Sequence, residues 1–336
     1  MSGASPVRGA VPVLTLCLGL VTAASAWPQP PAETLSWPPA PAATRVRFLR
    51  ALDPMAVRGK PSFFSKMLTV LIGDRETPSM RQPYGIAVGP DRKIYVADTF
   101  GRAIHVYDLK KPGYSSIRVD GDSLIGVAVV GVGLYVTDSA SGRVIALDTK
   151  GRPRWTLGPS DGFERPTGLV ASADRLFVVD TKRGRVVIVD LHGTILGTFG
   201  ESGSEPGQFN YPTNIARSSD GRLYVTDTMN FRVQIFDAEG RFLSTFGHLG
   251  DGSGDFDKPK GIAVDSGGHI YVVEGLNDVV QVFDDAGRLL LVFGKSGTRA
   301  GELYLPSGIA ITSDVIYVAD SANRRVAIFE YLGDSR

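Results

Sequence analysis

The stretch Pro306–Phe329, PSGIAITSDVIYVADSANRRVAIF, recurs with substitutions five more times upstream. Its clearest marker is an aromatic–Val–x–acid tetrad, found as Tyr95 to Asp98, Tyr135 to Asp138, Phe177 to Asp180, Tyr224 to Asp227, Tyr271 to Glu274 and Tyr317 to Asp320. The acids lie 40, 42, 47, 47 and 46 residues apart. Upstream of each tetrad comes a second marker of the type Gly261-Ile-Ala-Val264, and downstream an alternating run closed by another acid, such as Arg232 to Asp237. A fourth run ends in Phe-Gly or Leu-Gly, as at Phe242 to Gly247. Each run is short, rich in β-branched and aromatic residues, and bounded by Gly, Asp, Asn or Ser, which are strand and turn signals. Four short strands in about 45 residues is the size of a propeller blade. Six copies predict an all-β protein, a six-bladed β-propeller of four-stranded antiparallel blades. The Gly opening five of the six first strands fits a place where a side chain would clash.

Gly254 to Val264 (GDFDKPKGIAV), followed by Ile270-Tyr-Val and Val280 to Asp284, resembles the NHL repeat. Asp227 to Asp237 (DTMNFRVQIFD) resembles the second half of that repeat. The resemblance runs from Gln82 to Glu330 and is weakest in the second copy, where Ile125-Gly-Val lacks the proline. NHL propellers commonly serve as recognition platforms, so the resemblance implies a protein- or ligand-binding scaffold without catalysis or cofactor. It also admits an alternative, a propeller enzyme of the metal-dependent lyase or lactone hydrolase kind.

The 336 residues, 43% hydrophobic and 21% charged, can bury a large core, most of it in one propeller. Residues 1–26 read as a secretory signal peptide: Arg8 in a polar start, an apolar run from Val11 to Val21, and Ala24-Ser25-Ala26 before Trp27. The run is short for a membrane span. A periplasmic or extracellular protein with no membrane span is expected, whose partner is another exported or envelope protein. The sole cysteine, Cys17, lies inside the apolar run. A lipid anchor on Cys17 is the alternative, although Leu16 stands where a lipobox resembling other lipoproteins has a small residue. Residues 27–44, rich in Pro and Ala, read as an extended tether.

The last copy runs out of chain after Glu330, so its fourth strand is expected from Arg45 to Leu52, closing the ring and hiding an edge. Between that strand and the first blade, residues 61–72 carry Pro61 at the start and Phe63, Phe64, Met67, Leu68 and Leu71 at helical spacing before Gly73. This predicts a short amphipathic helix, either a plug on one end of the ring or a docking element.

The four histidines, His105, His192, His248 and His269, occupy different places in the repeat, unlike a zinc site at a channel mouth. The inner strands offer glycine where a metal site needs carboxylates, with Asn214 as the one polar replacement. No metal site is expected. Without residues 1–26, which contain Arg8 and no acid, 35 basic residues face 35 acidic ones, so nucleic acid is not an expected partner.

In four copies an Arg follows the acid by five residues: Asp138–Arg143, Asp180–Arg185, Asp227–Arg232 and Asp320–Arg325. Repetition in unit after unit points to architecture, and an ion pair across the hairpin is expected. The fifth copy lacks both members, having Glu274 and Val279. Its turn, with Glu274, Leu276, Asn277 and Asp278, is therefore a candidate partner contact. Asn230, Asn323, His248 and Asn214 join it as candidate binding residues.

Overall fold

A computed structural model describes residues 35–39, 42–53, 79–111 and 113–333. The chain forms six antiparallel sheets, five of four strands and one of five, arranged as the blades of a propeller. Within a blade we letter the strands A to D from the axis outward. Blade 3 is representative, with A Pro166–Ala171, B Arg175–Asp180, C Arg185–Asp190 and D Ile195–Phe199. Strands B and C are buried on both faces and read as nearly unbroken apolar runs, whereas strand D faces solvent on one side and alternates.

The core lies between blades. Tyr95, Tyr135, Phe177, Tyr224, Tyr271 and Tyr317, the aromatic residues of the tetrads, are all buried. Each packs on strand B of the following blade: Tyr135 against Leu176 and Val178, Phe177 against Leu223 and Val225, Tyr317 against Ile94 and Val96. Removing one such ring costs about 3–5 kcal/mol. The strand A glycines are enforced by the same neighbour. A Cβ on Gly85, Gly126 or Gly261 would stand 2.3 Å from the carbonyl oxygen of Ile125, Thr167 or Ser307 in the next blade.

Val46–Leu52 supplies strand D of blade 6, pairing antiparallel with Arg325–Tyr331. Phe48 meets Phe329 edge-on at 5.6 Å. The ring is thus closed by an amino-terminal strand. Ser36–Trp37 corrects the tether expectation for residues 27–44, because it adds a fifth strand to this sheet. Its indole packs on Phe293 and Phe329, at 6.2 and 5.7 Å, which gives a segment read as tether an apolar anchor. Residues 1–26 and the helix expected at 61–72 lie outside the described residues. Among the described residues no helix is long and apolar enough to cross a membrane.

Candidate binding face

The end of the ring where strands A begin also carries the B–C turns, and the repeated acids sit just beneath it. All six are fully buried. Each accepts backbone N–H groups from the segment leading into its own blade. Asp98 takes those of Arg81 and Gln82 at 2.7 and 2.8 Å. Asp320 takes that of Tyr304 at 2.7 Å, and Glu274 those of Asp257 and Lys258 at 3.1 and 2.9 Å. Arg143, Arg185, Arg232 and Arg325 stand 3.2, 3.8, 2.9 and 2.7 Å from Asp138, Asp180, Asp227 and Asp320. Arg325 also donates to the carbonyls of Arg299 and Glu302. Acid and arginine together therefore fasten the segment leading into their own blade. In blade 1, His105 replaces the arginine, with Nε2 3.0 Å from Asp98 and Nδ1 2.7 Å from the Tyr114 hydroxyl. Glu274 has no ion pair among the described residues. Burial pushes its carboxyl above the ordinary range, against the Lys258 and Asp257 amides. Burial opposes ionisation of Asp138 too, but Ser141, the Asp122 and Ser123 amides and Arg143 hold it below that range.

Four of the residues expected to meet a partner are engaged inside the fold. Glu274 is bound as above. Asp278 is buried, accepting the Leu305 N–H at 2.7 Å and the Ser296 hydroxyl at 2.6 Å. The Asn230 amide donates to Gly203 O and Asp227, and that of Asn323 to Gly297 O and Asp320. Turn polarity suggested recognition, but an unmet backbone group beside each side chain claimed it first. Leu276 and Asn277 are exposed. His248 is exposed in an outer loop, its Nε2 2.8 Å from Asp255. Asn214 lines the waist of the axial channel among Gly85, Gly126, Gly168 and Gly308, a cavity of about 50 Å³. Its Nδ2 is buried without a partner. These last four residues do not converge on one site.

A ring of hydroxyls joins the blades. In four blades the residue after the acid donates to the carbonyl opening the next blade: Ser139 to Pro166 at 2.7 Å, Thr181 to Pro212 at 2.6 Å, Thr228 to Pro259 at 2.8 Å and Ser321 to Pro83 at 2.6 Å. The second residue of strand A backs this bond, as Thr167 does for Thr181 and Ser307 for Ser321. Blade 5 has Gly275 and Lys260 at these two places. A Cβ on Gly275 would stand 2.5 Å from Lys260 Cε, so the missing hydroxyl makes room for the lysine. Burial lowers the Lys260 pKa, and nearby Lys258 adds to that, while Glu274 and Asp278 pull the other way. Sequence reasoning passed over Lys260, although a lysine in a column otherwise holding Tyr, Ile, Thr, Thr and Ser was visible.

The same end exposes large apolar side chains: Phe100 (60%), Met229 (50%) and Leu276 (51%) on B–C turns, and Tyr304 and Leu305 on the way into blade 6. Across the mouth, the Arg165 guanidinium donates to the Tyr211 hydroxyl and lies 5.3 Å from that ring's centre. The Tyr84 phenol, pushed up to about 12 by burial, senses both. No three His, Cys, Asp or Glu side chains among the described residues are grouped to hold a metal ion.

This geometry, a closed ring of six repeated blades with turns gathered at one mouth, defines a β-propeller. Residues 216–280 match a family model described as a 6-bladed beta-propeller, and residues 303–329 match that of the NHL repeat. The chain is thus a six-bladed β-propeller that carries an NHL repeat at residues 303–329. No curated protein matches it in sequence. Among solved structures it is similar to virginiamycin B lyase from Staphylococcus aureus, at 15% identity over 76% of this chain and 97% of that one, with a TM-score of 0.58. A gluconolactonase from Xanthomonas campestris shares 17% identity over 76% and 87% of the two chains, at 0.59. An auxiliary nutrient binding protein from Bacteroides thetaiotaomicron shares 14% over 75% and 70%, at 0.60. At these identities the likeness is one of fold.

Proposed function

We propose that the protein is exported and acts without catalysis, as a platform whose channel-mouth face binds another exported or envelope protein. The observation that carries this reading is the exposure of Phe100, Met229, Leu276, Tyr304 and Leu305 together on one end of a rigid ring. Apolar side chains clustered at exposed turn tips mark an interaction surface. Their backbone is held from beneath by the buried acids, so the face is presented with little ordering left to do on binding. The lyase or lactonase alternative needs convergent ligands or acid–base groups, and the axial positions supply glycines and one asparagine.

The test is capture of partners from the native envelope by the mature protein, comparing wild type with Phe100→Glu and Leu276→Glu. Val132→Glu, on an exposed A–B turn at the opposite end, is the control. Loss of the same partner in the first two and its retention in the third is expected. Equal capture by all, or stoichiometric metal in the purified protein by elemental analysis, would overturn the reading.

A further inference from the structure

The cations of the mouth face are unevenly matched. In blade 3 they are matched, Lys182 and Arg183 with Glu164 and Arg165 on Tyr211, and Arg102 of the blade 1 turn pairs with Asp122 at the entry to blade 2. In blades 5 and 6 and at the entry to blade 1, four cations are not. Lys258, Lys260, Arg324 and Arg81 make no ion pair among the described residues, and Asp257 precedes Lys258 in the chain. Lys260 is the least ordinary of the four, being partly buried at the opening of an inner strand. The two carboxylates near it, Glu274 and Asp278, already accept N–H groups of Asp257, Lys258 and Leu305. A desolvated ammonium without a hydrogen-bonded counter-ion is costly, and a carboxylate arriving from outside relieves that cost. Leu276, Tyr304, Leu305 and Phe100 lie in the same sector and offer apolar contact between the charges.

We infer that the sector of blades 5, 6 and 1 is the binding site for an acidic protein segment carrying apolar residues, with the Lys260 ammonium receiving one of its carboxylates. This rests on the platform reading and names the chemistry of the partner. Lys258, Arg324 and Arg81 steer the segment from the rim, and Leu276 and Tyr304 take its apolar side chains. A free small carboxylate would meet Lys260 without needing the rim, which separates the two sources.

The probe is a fluorescein-labelled synthetic peptide alternating glutamate and leucine, with a glutamine–leucine peptide and N-acetylglutamate for comparison. The glutamate peptide should bind with an affinity that falls as salt is added. Lys260→Met should weaken it about tenfold, as loss of a partly buried charge partner does, and Lys260→Arg should recover much of it. Arg324→Gln and Arg81→Gln should weaken it about twofold to threefold each, as rim charges do, and Lys182→Gln on the paired side should leave it unchanged. In the wild type the peptide should shield Lys260 from acetylation by acetic anhydride, a readout that needs no variant. Equal binding of the glutamine peptide, an unaffected Lys260→Met, or no binding at all would overturn the inference. Binding of N-acetylglutamate as tight as the peptide would assign the site to a small carboxylate instead. Envelope capture that depends on Leu276 but not Lys260 would sink the acidic segment and leave the platform standing; dependence on neither Leu276 nor Phe100 would sink the platform.

Discussion

Blades 4 and 5 are neighbours built on one pattern, and they are fastened in different ways. In blade 4, Asp227 gathers four donors: the Asn210 N–H, the Asn230 amide, Arg232 and Gln234. Thr228 then latches the blade to Pro259 of the next. In blade 5, Glu274 gathers two backbone N–H groups, and no hydroxyl follows it. The next blade is held instead by Asp278, which reaches over to the Leu305 N–H. Replacing the arginine by Val279 and the hydroxyl by Gly275 frees the corner for Lys260. The contrast shows that a repeat can exchange one fastening for another while its backbone stays the same, and that the exchanged place is where a new chemical group can stand.

The widest gap between the two blades should appear on removing the acids. Asp227→Ala takes the carboxylate acceptor from a largely buried arginine and two amides, and should cost about 3–5 kcal/mol in urea unfolding. Glu274→Ala should cost about 1–3 kcal/mol, because it strands only backbone donors. Equal losses would erase the distinction. Asp278→Ala should cost about 1–3 kcal/mol by leaving the Leu305 N–H unmet. An unchanged midpoint would show that the seam between blades 5 and 6 needs no strut. Next comes the hydroxyl ring. Thr228→Val should cost about 1 kcal/mol, whereas Thr99→Val should stay within about 0.5 kcal/mol, since the buried Thr99 hydroxyl has no partner to lose.

The smallest effect is a pair of opposite pH slopes. Glu274, held above its ordinary value of 4.5, contributes stability below that value and loses the contribution as pH rises through its raised pKa. Asp138, held below its ordinary value of 3.8, contributes above that value and loses the contribution as pH falls through its lowered pKa. Glu274→Gln should therefore gain on the wild type as pH rises from 4.5, and Asp138→Asn should lose on it as pH rises toward 3.8. Parallel curves in thermal unfolding at stepped pH would contradict the assignment.

The six blades and their closure were legible because the signals repeat: a buried aromatic, a buried acid and a crowded glycine each serve the same contact in successive copies. Gly113–Arg118, strand D of blade 1, was not, since an outer strand half in water needs no apolar signature and this one lacks the Phe-Gly ending. Trp37 was hidden by its prolines. The candidate face was harder to read. Asn230, Asn323 and Asp278 have the composition of contact residues, but sequence does not show which backbone group lies within reach. Lys260 stood in a column of mostly uncharged residues, and only the clearance over Gly275 gives it meaning.

The closing strand has a consequence in time. Val46–Leu52 precedes every blade, while its partner Arg325–Tyr331 follows them all, and the Arg45 guanidinium reaches the Tyr331 hydroxyl 286 positions later. During synthesis the earliest of these strands must wait, unpaired and apolar, until the latest has emerged. Its waiting edge is the part of the nascent chain most exposed to mispairing. Completion of the last blade, rather than growth of the first, is then the event that commits the whole ring.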